Sequence, residues 1–473
     1  MLAVYDTATG AVRPFESRVP GQVTAYVCGV TPYAEAHLGH ARPAVVWDVI
    51  TRHLHHRGYR VTLVVNITDV DDRLIERALA QRVPVAALAE KHAAQYLADM
   101  HRLGVADPTY LSRATENVEP IITLIERLLA RGAAYQAGGD VYLRVRSAPD
   151  YGALSHRRLE DLRVGVRIVP SAHKEDPLDF ALWKGERPGE PAWPAPFGRG
   201  RPGWHIECSA MAWRYLGPHI DLHGGGVDLV FPHHENERVQ SQMALDLHGE
   251  PGVGWWVHNG MVTSSGVKMS KSLGNGAALS ALIEQHGAAP VRGYLLSVHY
   301  RSPLDYSEEG LRDFARGWER VERLWEAVQG APPAAEPVPG ERGELLARFP
   351  EHLDGALDAD FNTPAALGHL FDMVRAANAL IAEGSRAAAG LARRNLLAAR
   401  DALGILGLGG AAAPANRAGQ PPEPIQRLLA ERDRARADKD YARADALRRA
   451  MAEQGWVVED RREGPLVRPV TPL

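Results

Sequence analysis

The fold of this chain is decided by residues 22–66, which read QVTAYVCGVTPYAEAHLGHARPAVVWDVITRHLHHRGYRVTLVVN. A short β-rich run, Val23–Val27, precedes a stretch whose apolar residues recur every fourth position from Val46 onward, as on one face of a helix. Gly58 is placed to end that helix. Tyr59–Val65 is an apolar, β-branched run, as buried parallel strands tend to be. Strand, helix and strand in this order predict a βαβ unit within a doubly wound parallel sheet of the α/β class.

The start of the predicted helix carries His37-Leu38-Gly39-His40. Backbone N–H groups and the helix dipole at such an end favour phosphate. The two histidines lie three residues apart, so they share one helix face and could reach the same polyphosphate. Gly39 leaves space for a flat ring to approach. Surface histidines are common, so the tetrapeptide by itself leaves a solvated helix end as the alternative.

A second phosphate-binding candidate is the run KMSKSLGN at Lys268–Asn275, which follows Ser264-Ser265-Gly266. Glycine and serine on both sides predict a loop. Lys268 and Lys271 are spaced to clamp a triphosphate and to neutralise the charge that develops in phosphoryl chemistry. The alternative is a solvated lysine loop.

The composition is that of an ordinary globular protein of 473 residues with 45% apolar residues and a formal net charge of −4. The charge gives no general sign of a nucleic-acid binder. Only two cysteines occur, which argues against a disulfide framework and favours the cytoplasm. No run of about 18 apolar residues is present, so we expect no membrane span. The first residues also lack the basic and apolar regions of a signal peptide.

The rest of the chain divides by composition. Residues 85–135 are predicted to be mainly helical, and 136–200 to be an irregular insertion with short strands such as Val141–Val145. Low-complexity stretches at Ala331–Pro337 and Gly407–Pro424 mark boundaries. The Ala/Leu/Arg-rich region between them predicts a helical bundle, and a small module follows.

Together, the histidine and lysine motifs resemble the two signatures of class I aminoacyl-tRNA synthetases. The resemblance also includes Cys28, Gly203–Ala210, Gly224–Asp228 and His233–Glu237. The order and spacing of all these motifs are similar to those of the cysteine–tRNA ligase family over essentially the whole chain. The resemblance implies a Rossmann-like catalytic domain followed by a helical bundle and an anticodon-binding module. The implied catalytic domain spans residues 1–320, with an insertion at about 115–200 and the lysine-motif region at about 250–320. The implied helical bundle spans 341–408, and the implied anticodon-binding module spans 421–473.

The resemblance also implies the site residues. ATP would be bound by His37, Gly39, His40, Gly225, Asp228, Lys268 and Lys271, of which His37, His40, Lys268 and Lys271 would be catalytic. Thr68 and Trp204 would flank the amino acid. One Zn²⁺ per chain would be held by Cys28, Cys208, His233 and Glu237. Arg436, Tyr441, Asp445 and Asp460 would contact the anticodon.

The implied activity is ATP-dependent ligation of L-cysteine to tRNA(Cys) through a cysteinyl-adenylate, with Mg²⁺ accompanying ATP, in a cytoplasmic monomer. Two thiols, an imidazole and a carboxylate are a donor set that suits tetrahedral zinc. Taken singly, each thiol is more often a small buried hydrophobe. A hydrophobic pocket separates cysteine from serine only weakly, whereas zinc prefers sulfur to a hydroxyl, so a metal would supply the selectivity.

One departure and three rivals remain open. Relatives often carry Lys-x-x-Lys after the Asp71-Asp72 pair, whereas this chain has Arg73 and Glu76 there, which puts a pyridoxal-phosphate-dependent persulfide activity in doubt. The rivals are a ligase that joins cysteine to an amino-sugar inositol, a catalytically inactive tRNA-binding paralogue, and a zinc hydrolase built on His233–Glu237.

Overall fold

The computed structural model describes residues 1–159, 173–245, 247, 249–269, 278–334, 336–405, 423–437, 440–453, 456–461 and 464–469. Numbered along the chain, the strands are β1 (Ala3–Asp6), β2 (Ala11–Pro14), β3 (Gln22–Val30), β4 (Arg60–Ile67), β5 (Tyr110–Arg113), β6 (Ala134–Ala137), β7 (Asp140–Leu143), β8 (Phe180–Gly185), β9 (Gly200–Pro202), β10 (Ile220–Gly226), β11 (Val253–Asn259), β12 (Val262–Ser264), β13 (Val267–Lys268), β14 (Leu304–Asp305), β15 (Trp456–Arg461) and β16 (Gly464–Pro469).

The helices are α1 (Leu38–His56), α2 (Asp72–Gln81), α3 (Val85–Arg102), α4 (Val118–Ala130), α5 (Trp204–Leu216), α6 (Glu235–Ala244), α7 (Leu279–His286), α8 (Ala288–Leu296), α9 (Glu308–Val328), α10 (Gly340–Asp358), α11 (Thr363–Ala382), α12 (Arg386–Leu403), α13 (Glu423–Ala437) and α14 (Tyr441–Glu453). Among the described residues, none of these helices combines the length and the apolar character that crossing a membrane requires.

A five-stranded parallel sheet forms the centre of the fold, in the order β11-β10-β3-β4-β5. Helix α1 connects β3 to β4, so the βαβ unit predicted from residues 22–66 is confirmed, and so is the α/β class. Strand β5 was not foreseen, because residues 85–135 were predicted to be mainly helical. Its four residues, Tyr110–Arg113, are too few to show a strand period, and pairing with β4 is what makes them a strand.

The alternation along β3 decides which helix each of its side chains meets. Ala25 and Val27 pack on the α1 side of the sheet. Tyr26 and Cys28 pack on the other side, in a cluster that contains Cys208 of α5. Because successive side chains of a strand point to opposite faces of the sheet, Cys28 points to the face that α5 covers and lies in the same cluster as Cys208.

The predicted insertion contains a second sheet, antiparallel, in the order β6-β7-β8-β9. Strand β7 overlaps the predicted strand Val141–Val145. Gly203 then joins β9 to α5, and an added Cβ at Gly203 would lie 2.0 Å from the backbone oxygen of Ala181. Only glycine allows this close approach, which sets the start of α5 and therefore the position of Cys208.

Between the two low-complexity stretches the described chain is helical, as predicted. Helices α10, α11 and α12 pack together and share one apolar cluster with α8 and α9. The stretch Ala331–Pro337 lies between α9 and α10, whereas Gly407–Pro424 lies almost wholly outside the described residues. Helices α13 and α14 and the antiparallel pair β15–β16 follow, and Ile425, Met451 and Val458 form their small core.

A buried ion pair ties α1 to this helical region. Arg292 is completely buried and pairs with the Asp48 carboxylate, while its Nε donates to the backbone oxygen of Leu403 at 2.8 Å. Arg52 Nε also donates to Asp48, at 2.7 Å. Burial alone would raise the pKa of Asp48, but the Arg292 and Arg52 charges overcome it and hold that pKa below its usual value. Asp48 is therefore charged in the folded protein at neutral pH.

We expect Asp48→Asn to lower the free energy of unfolding by about 2 kcal/mol, because the amide leaves the buried Arg292 charge without its anion. Guanidinium denaturation followed by tryptophan fluorescence at pH 7 would measure the loss. The folded-state pKa of Asp48 is lowered, so this stabilisation is present above the unfolded pKa and disappears as the pH falls through the folded one. Asp354→Asn is the matched control. Asp354 pairs with His56 and Arg57 at a more exposed position, and its loss should cost less than about 1 kcal/mol. Equal losses from the two variants would contradict the prediction.

Candidate active site

The two histidines of the tetrapeptide close the N-terminus of α1. His37 is the N-cap residue, and its Nδ1 accepts a hydrogen bond from the Gly39 N–H at 3.1 Å. Nδ1 of His40 accepts from the His37 N–H at 3.3 Å, so the two side chains form a reciprocal capping box. The ring centroids are 3.9 Å apart. Because each Nδ1 accepts, each neutral ring carries its proton on Nε2, the nitrogen that would donate to a phosphate oxygen.

Gly39 has a role that the sequence did not reveal. An added Cβ there would lie 2.8 Å from Cε1 of His37. The predicted reason for this glycine was space for a ligand ring, but the ring that occupies the space in the structure is that of His37. Gly39 therefore permits the cap itself.

One open cleft, with a volume of about 2190 Å³, brings six of the predicted residues together. Its lining includes Cys28, His37, Gly39, His40, Trp204 and Asp228. Apart from the lysine motif, five residues predicted for the catalytic site do not line it: Thr68, Gly225, Cys208, His233 and Glu237. Thr68 is buried behind the wall, where its Oγ1 accepts from Asn66. Gly225 packs against Leu229 and His234, and the neighbouring Gly226 reaches the cleft instead.

The four predicted zinc ligands meet beside this cleft, and Cys28 is the one of the four that lines it. Their ligand atoms all lie within 4.8 Å of one another, and all four residues are buried. Cys28 lies near the end of β3, Cys208 in α5, His233 just before α6 and Glu237 in the first turn of α6. Cys28 Sγ is 3.4 Å from Glu237 Oε1, and His233 Nε2 is 2.9 Å from the same oxygen. A parallel sheet and two helix starts thus unite residues that are up to 209 positions apart.

The ionisable side chains of this cluster are buried, and their pKa values are shifted from the usual ones. Burial raises the pKa of the Cys28 thiol and of the Glu237 carboxyl well above their usual values. A hydrogen bond from Cys28 lowers the pKa of Cys208 to about 7. Oε2 of Glu237 accepts no hydrogen bond, although His223 Nε2 is 3.3 Å away. Two thiols, an imidazole and a carboxyl with an unsatisfied buried oxygen are a donor set that fits zinc.

Four further histidines of the described chain surround the cluster, and none of them was predicted from the sequence as a site residue. His205 Nδ1 is 2.9 Å from His233 Nδ1, so His233 directs its Nε2 toward Glu237. Trp204 stacks on His233 with ring centroids 4.3 Å apart. His234 lies between Cys28 Sγ, at 3.3 Å, and His258 Nε2, at 2.7 Å. Such partners orient ligand side chains and tune them.

A second set of potential ligands overlaps the first. Cys28, His223, His234 and Glu237 also lie within 4.8 Å of one another. The set with Cys208 has the stronger claim, because it offers two sulfurs, the donors that zinc prefers over further nitrogens at structural and selective sites. Burial lowers the pKa of His223 and His234 well below its usual value, so both rings are neutral. The sequence signals for these residues were that His205 lies three residues before Cys208 and that His234 directly follows His233.

The remaining predicted residues lie in two places. Lys268 is described only through its backbone, which pairs with Thr263, and Lys271 lies outside the described residues. Arg436 and Asp445 are exposed on α13 and α14. Tyr441 begins α14 and Asp460 lies in β15, and their side chains are outside the described part of the chain.

Three family models match successive parts of the chain. They are described as the tRNA synthetases class I (C) catalytic domain over residues 14–316, the DALR domain over 353–407 and the cysteinyl-tRNA ligase anticodon binding domain over 419–468. The chain is 45% identical over 483 residues to a cysteine–tRNA ligase of Geobacter metallireducens, with 98% of each chain covered. It is 47% identical over 475 residues to a cysteine–tRNA ligase of Alkalilimnicola ehrlichii, covering 98% of this chain and 99% of that one.

Solved structures show the same fold at low identity. A ternary complex of Agrobacterium radiobacter LeuRS with tRNA and LeuAMS has a TM-score of 0.63 at 12% identity, covering 85% of this chain and 88% of that chain. Mycobacterium tuberculosis methionyl-tRNA synthetase in complex with methionyl-adenylate has a TM-score of 0.57 at 19% identity, covering 81% and 89%.

Proposed function

Because the chain belongs to the cysteine–tRNA ligase family of class I aminoacyl-tRNA synthetases, we propose that it joins L-cysteine to tRNA(Cys) and selects cysteine through a zinc ion. The observation that carries this proposal is the meeting of Cys28, Cys208, His233 and Glu237 in one buried cluster, from which Cys28 reaches the cleft that His37 and His40 also line.

The proposed reaction has two steps. The cysteine carboxylate attacks the α-phosphorus of ATP, and the bond to the bridging oxygen breaks, so that pyrophosphate leaves and cysteinyl-adenylate forms. A terminal ribose hydroxyl of tRNA, the 2′-hydroxyl by class I habit, then attacks the cysteinyl carbonyl and AMP leaves. Mg²⁺ would accompany ATP and share the phosphate charge.

His37 and His40 stabilise the phosphate charge in the first step. Their Nδ1 atoms are held by the cap of α1, so both Nε2–H groups are oriented before ATP binds. Fixed donors of this kind act on developing charge without reorganisation. Lys268 and Lys271 would add positive charge, a role that rests on their motif. Asp228 lines the cleft and would accept hydrogen bonds from the ribose.

Cysteine selection would take place at the ligand cluster. When bound, zinc would take the substrate thiolate in preference to a serine hydroxyl. The chain's own contribution is to hold the donors in place: His205 orients His233, and Trp204 stacks on the same ring at the cleft surface. Because Trp204 is 39% exposed, its indole is placed to cover the side chain of a bound amino acid.

Cysteine-dependent exchange between ATP and pyrophosphate, followed by charging of tRNA(Cys), tests the proposal. We expect exchange with cysteine and none with serine, and then stable charging. Exchange without charging would favour the ligase that acts on an amino-sugar inositol, and no exchange would favour the inactive paralogue. A cytoplasmic location and a monomeric state stay predictions, which fractionation and light scattering would check.

Removing the residues after about 420 should separate the two steps. We expect the exchange rate to stay within about twofold, because α13, α14 and β15–β16 have their own small core. Charging should fall by about 100-fold, the effect of losing stacking and polar contacts to one or two bases. Arg436→Gln and Asp445→Asn in the full chain should each reproduce part of that loss. An equal fall in exchange and charging would speak against a separate anticodon module.

A further inference from the structure

Arg42 lies two residues after His40, and no part of it is exposed. Its guanidinium contacts three backbone carbonyls from distant parts of the chain. Nη1 donates to the oxygens of Gly260 at 3.0 Å and Met261 at 3.2 Å, and Nη2 donates to the oxygen of His299 at 3.1 Å. One side chain of α1 therefore holds the junction between β11 and β12 and the segment that follows α8.

The burial of this charge is costly. No carboxylate among the described residues forms an ion pair with Arg42, and burial lowers its pKa to about 10. Its Nε also finds no hydrogen-bond partner within the described part of the chain. An uncompensated buried charge is unfavourable, and Arg remains charged because its ordinary pKa is so high. A leucine would fill such a space without this cost, so the three carbonyl contacts are what the guanidinium contributes.

The Gly260–Met261 junction that Arg42 holds is the origin of the lysine-motif chain, by which we mean the segment that runs from this junction through β12 and β13 to Lys268. Gly260 N–H donates to Tyr300 O at 2.7 Å, and an added Cβ at Gly260 would lie 2.2 Å from Ser302 O. Strand β12 starts at Val262 and leads through a turn to β13, which ends at Lys268. The junction is thus held from two sides, by Arg42 and by the backbone of 300–304.

Both described ends of the lysine-motif segment return to the start of α1. Met269 is buried in the same cluster as Leu38 and Ala41, and its N–H donates to Val262 O at 3.0 Å. On the far side, the N–H of Leu279 donates to Ala36 O at 3.0 Å. The histidine motif and the described residues on either side of 270–277, Met269 and Leu279, therefore belong to one packed unit.

We propose that Arg42 is a positioning residue that fixes the origin of the lysine-motif chain relative to the histidine cap, so that both motifs address the same triphosphate. This inference rests on the proposed function. Arg42 itself need not touch ATP. It acts through the Gly260–Met261 junction, and the planar fork of the guanidinium suits it to span carbonyls from two segments.

Arg42→Met, which keeps the stem and removes the fork, tests the proposal through single-turnover formation of cysteinyl-adenylate. We expect the rate at saturating substrates to fall by about 30-fold, since small misplacements of a reacting centre cost up to about 100-fold. The dissociation constant for cysteine should stay within about twofold. Arg42→Lys should recover part of the rate, because one ammonium can still donate to the Gly260 and Met261 carbonyls.

A double-mutant cycle with Lys268→Ala separates positioning from general damage. If Arg42 acts through the lysine motif, Arg42→Met should cost less than about threefold in the Lys268→Ala background, because coupled residues are not additive. Arg52→Met removes another arginine of α1 that does not contact the junction, and its effect should be additive with Lys268→Ala. Additive losses for Arg42→Met, or an unchanged adenylation rate, would overturn the proposal.

Hydrogen–deuterium exchange gives a readout that does not depend on activity. In Arg42→Met, amides of β12 should exchange about tenfold faster while those of β3 and β10 keep their protection, because local opening reports local stability. Unchanged exchange in β12 overturns the proposal even if the wild type shows no cysteine-dependent activity. An inactive wild type with faster β12 exchange in the variant instead refutes the proposed function and leaves the structural role of Arg42 supported.

Discussion

Replacing Cys208 by serine is expected to lower the kcat/KM of cysteine activation by about 1000-fold or more, because even the loss of an outer-shell partner costs 10- to 100-fold in metal affinity or activity. Cys208 is 1% exposed, and Cys28 supplies the one other thiol of the ligand cluster among the described residues. Serine keeps the size of the side chain but offers a hydroxyl, which zinc binds far less well than a thiolate. The zinc content after dialysis should fall from one per chain to nearly none.

Two measurements decide this prediction. Metal analysis of the dialysed protein reports the ligand role, and pyrophosphate exchange with cysteine and with serine reports selectivity, which should shrink together with the metal content. Met211→Leu is the matched control, since Met211 is buried on the same helix and the change conserves volume. A Cys208→Ser protein that retained full zinc and full cysteine activation would falsify the metal assignment.

Replacing His37 by asparagine should lower the maximal exchange rate by about 100-fold, the usual cost of removing one preorganised donor from a developing charge. Asparagine is a good N-cap residue, so its side-chain oxygen can replace Nδ1 as the acceptor for the Gly39 N–H. The helix start is then retained while the Nε2–H donor is lost. The KM for cysteine should change little, because the ligand cluster lies elsewhere on the cleft.

A pair of variants separates catalysis from folding at this position. His37→Ala removes both the cap and the donor, so it should lose as much activity as His37→Asn and about 1 kcal/mol of stability as well. His56→Asn, at the far end of α1, should leave exchange within about twofold since it removes only a surface pair with Asp354. If His37→Asn retained the wild-type rate, the imidazole would be a cap and nothing more.

Much of the fold was predictable because its signals are local. The apolar period from Val46, the β-branched run Tyr59–Val65 and the stop at Gly58 each depend on a few neighbouring residues, and they led to the β3-α1-β4 unit. Strand β5 was not predicted, because a four-residue edge strand forms only by pairing with its neighbouring strand. The second sheet was predicted only in part for the same reason, because its strands β6 to β9 have three to six residues each.

The residues of the site likewise divide into those that the sequence indicated and those that only the fold brings to the site. The motifs and the family resemblance indicated which side chains were candidates, and the cleft is lined by six of them. Thr68 and Gly225 do not line the cleft because their exposure depends on which layer packs over them, which no motif encodes. His205, His223, His234 and His258 are ordinary histidines in the sequence, and only the fold makes them neighbours of the ligand cluster.

By itself, the sequence determined the βαβ unit and the start of its helix near His37, because these follow from side-chain period and type within a few residues. The tertiary structure alone decided that Cys28 and Glu237, 209 positions apart, lie 3.4 Å from each other. It also decided that Arg42 holds the junction that begins the lysine-motif chain. Contacts of this kind depend on the order of strands in the sheet and on which helix covers each face, and both are settled only when the whole apolar surface is buried together.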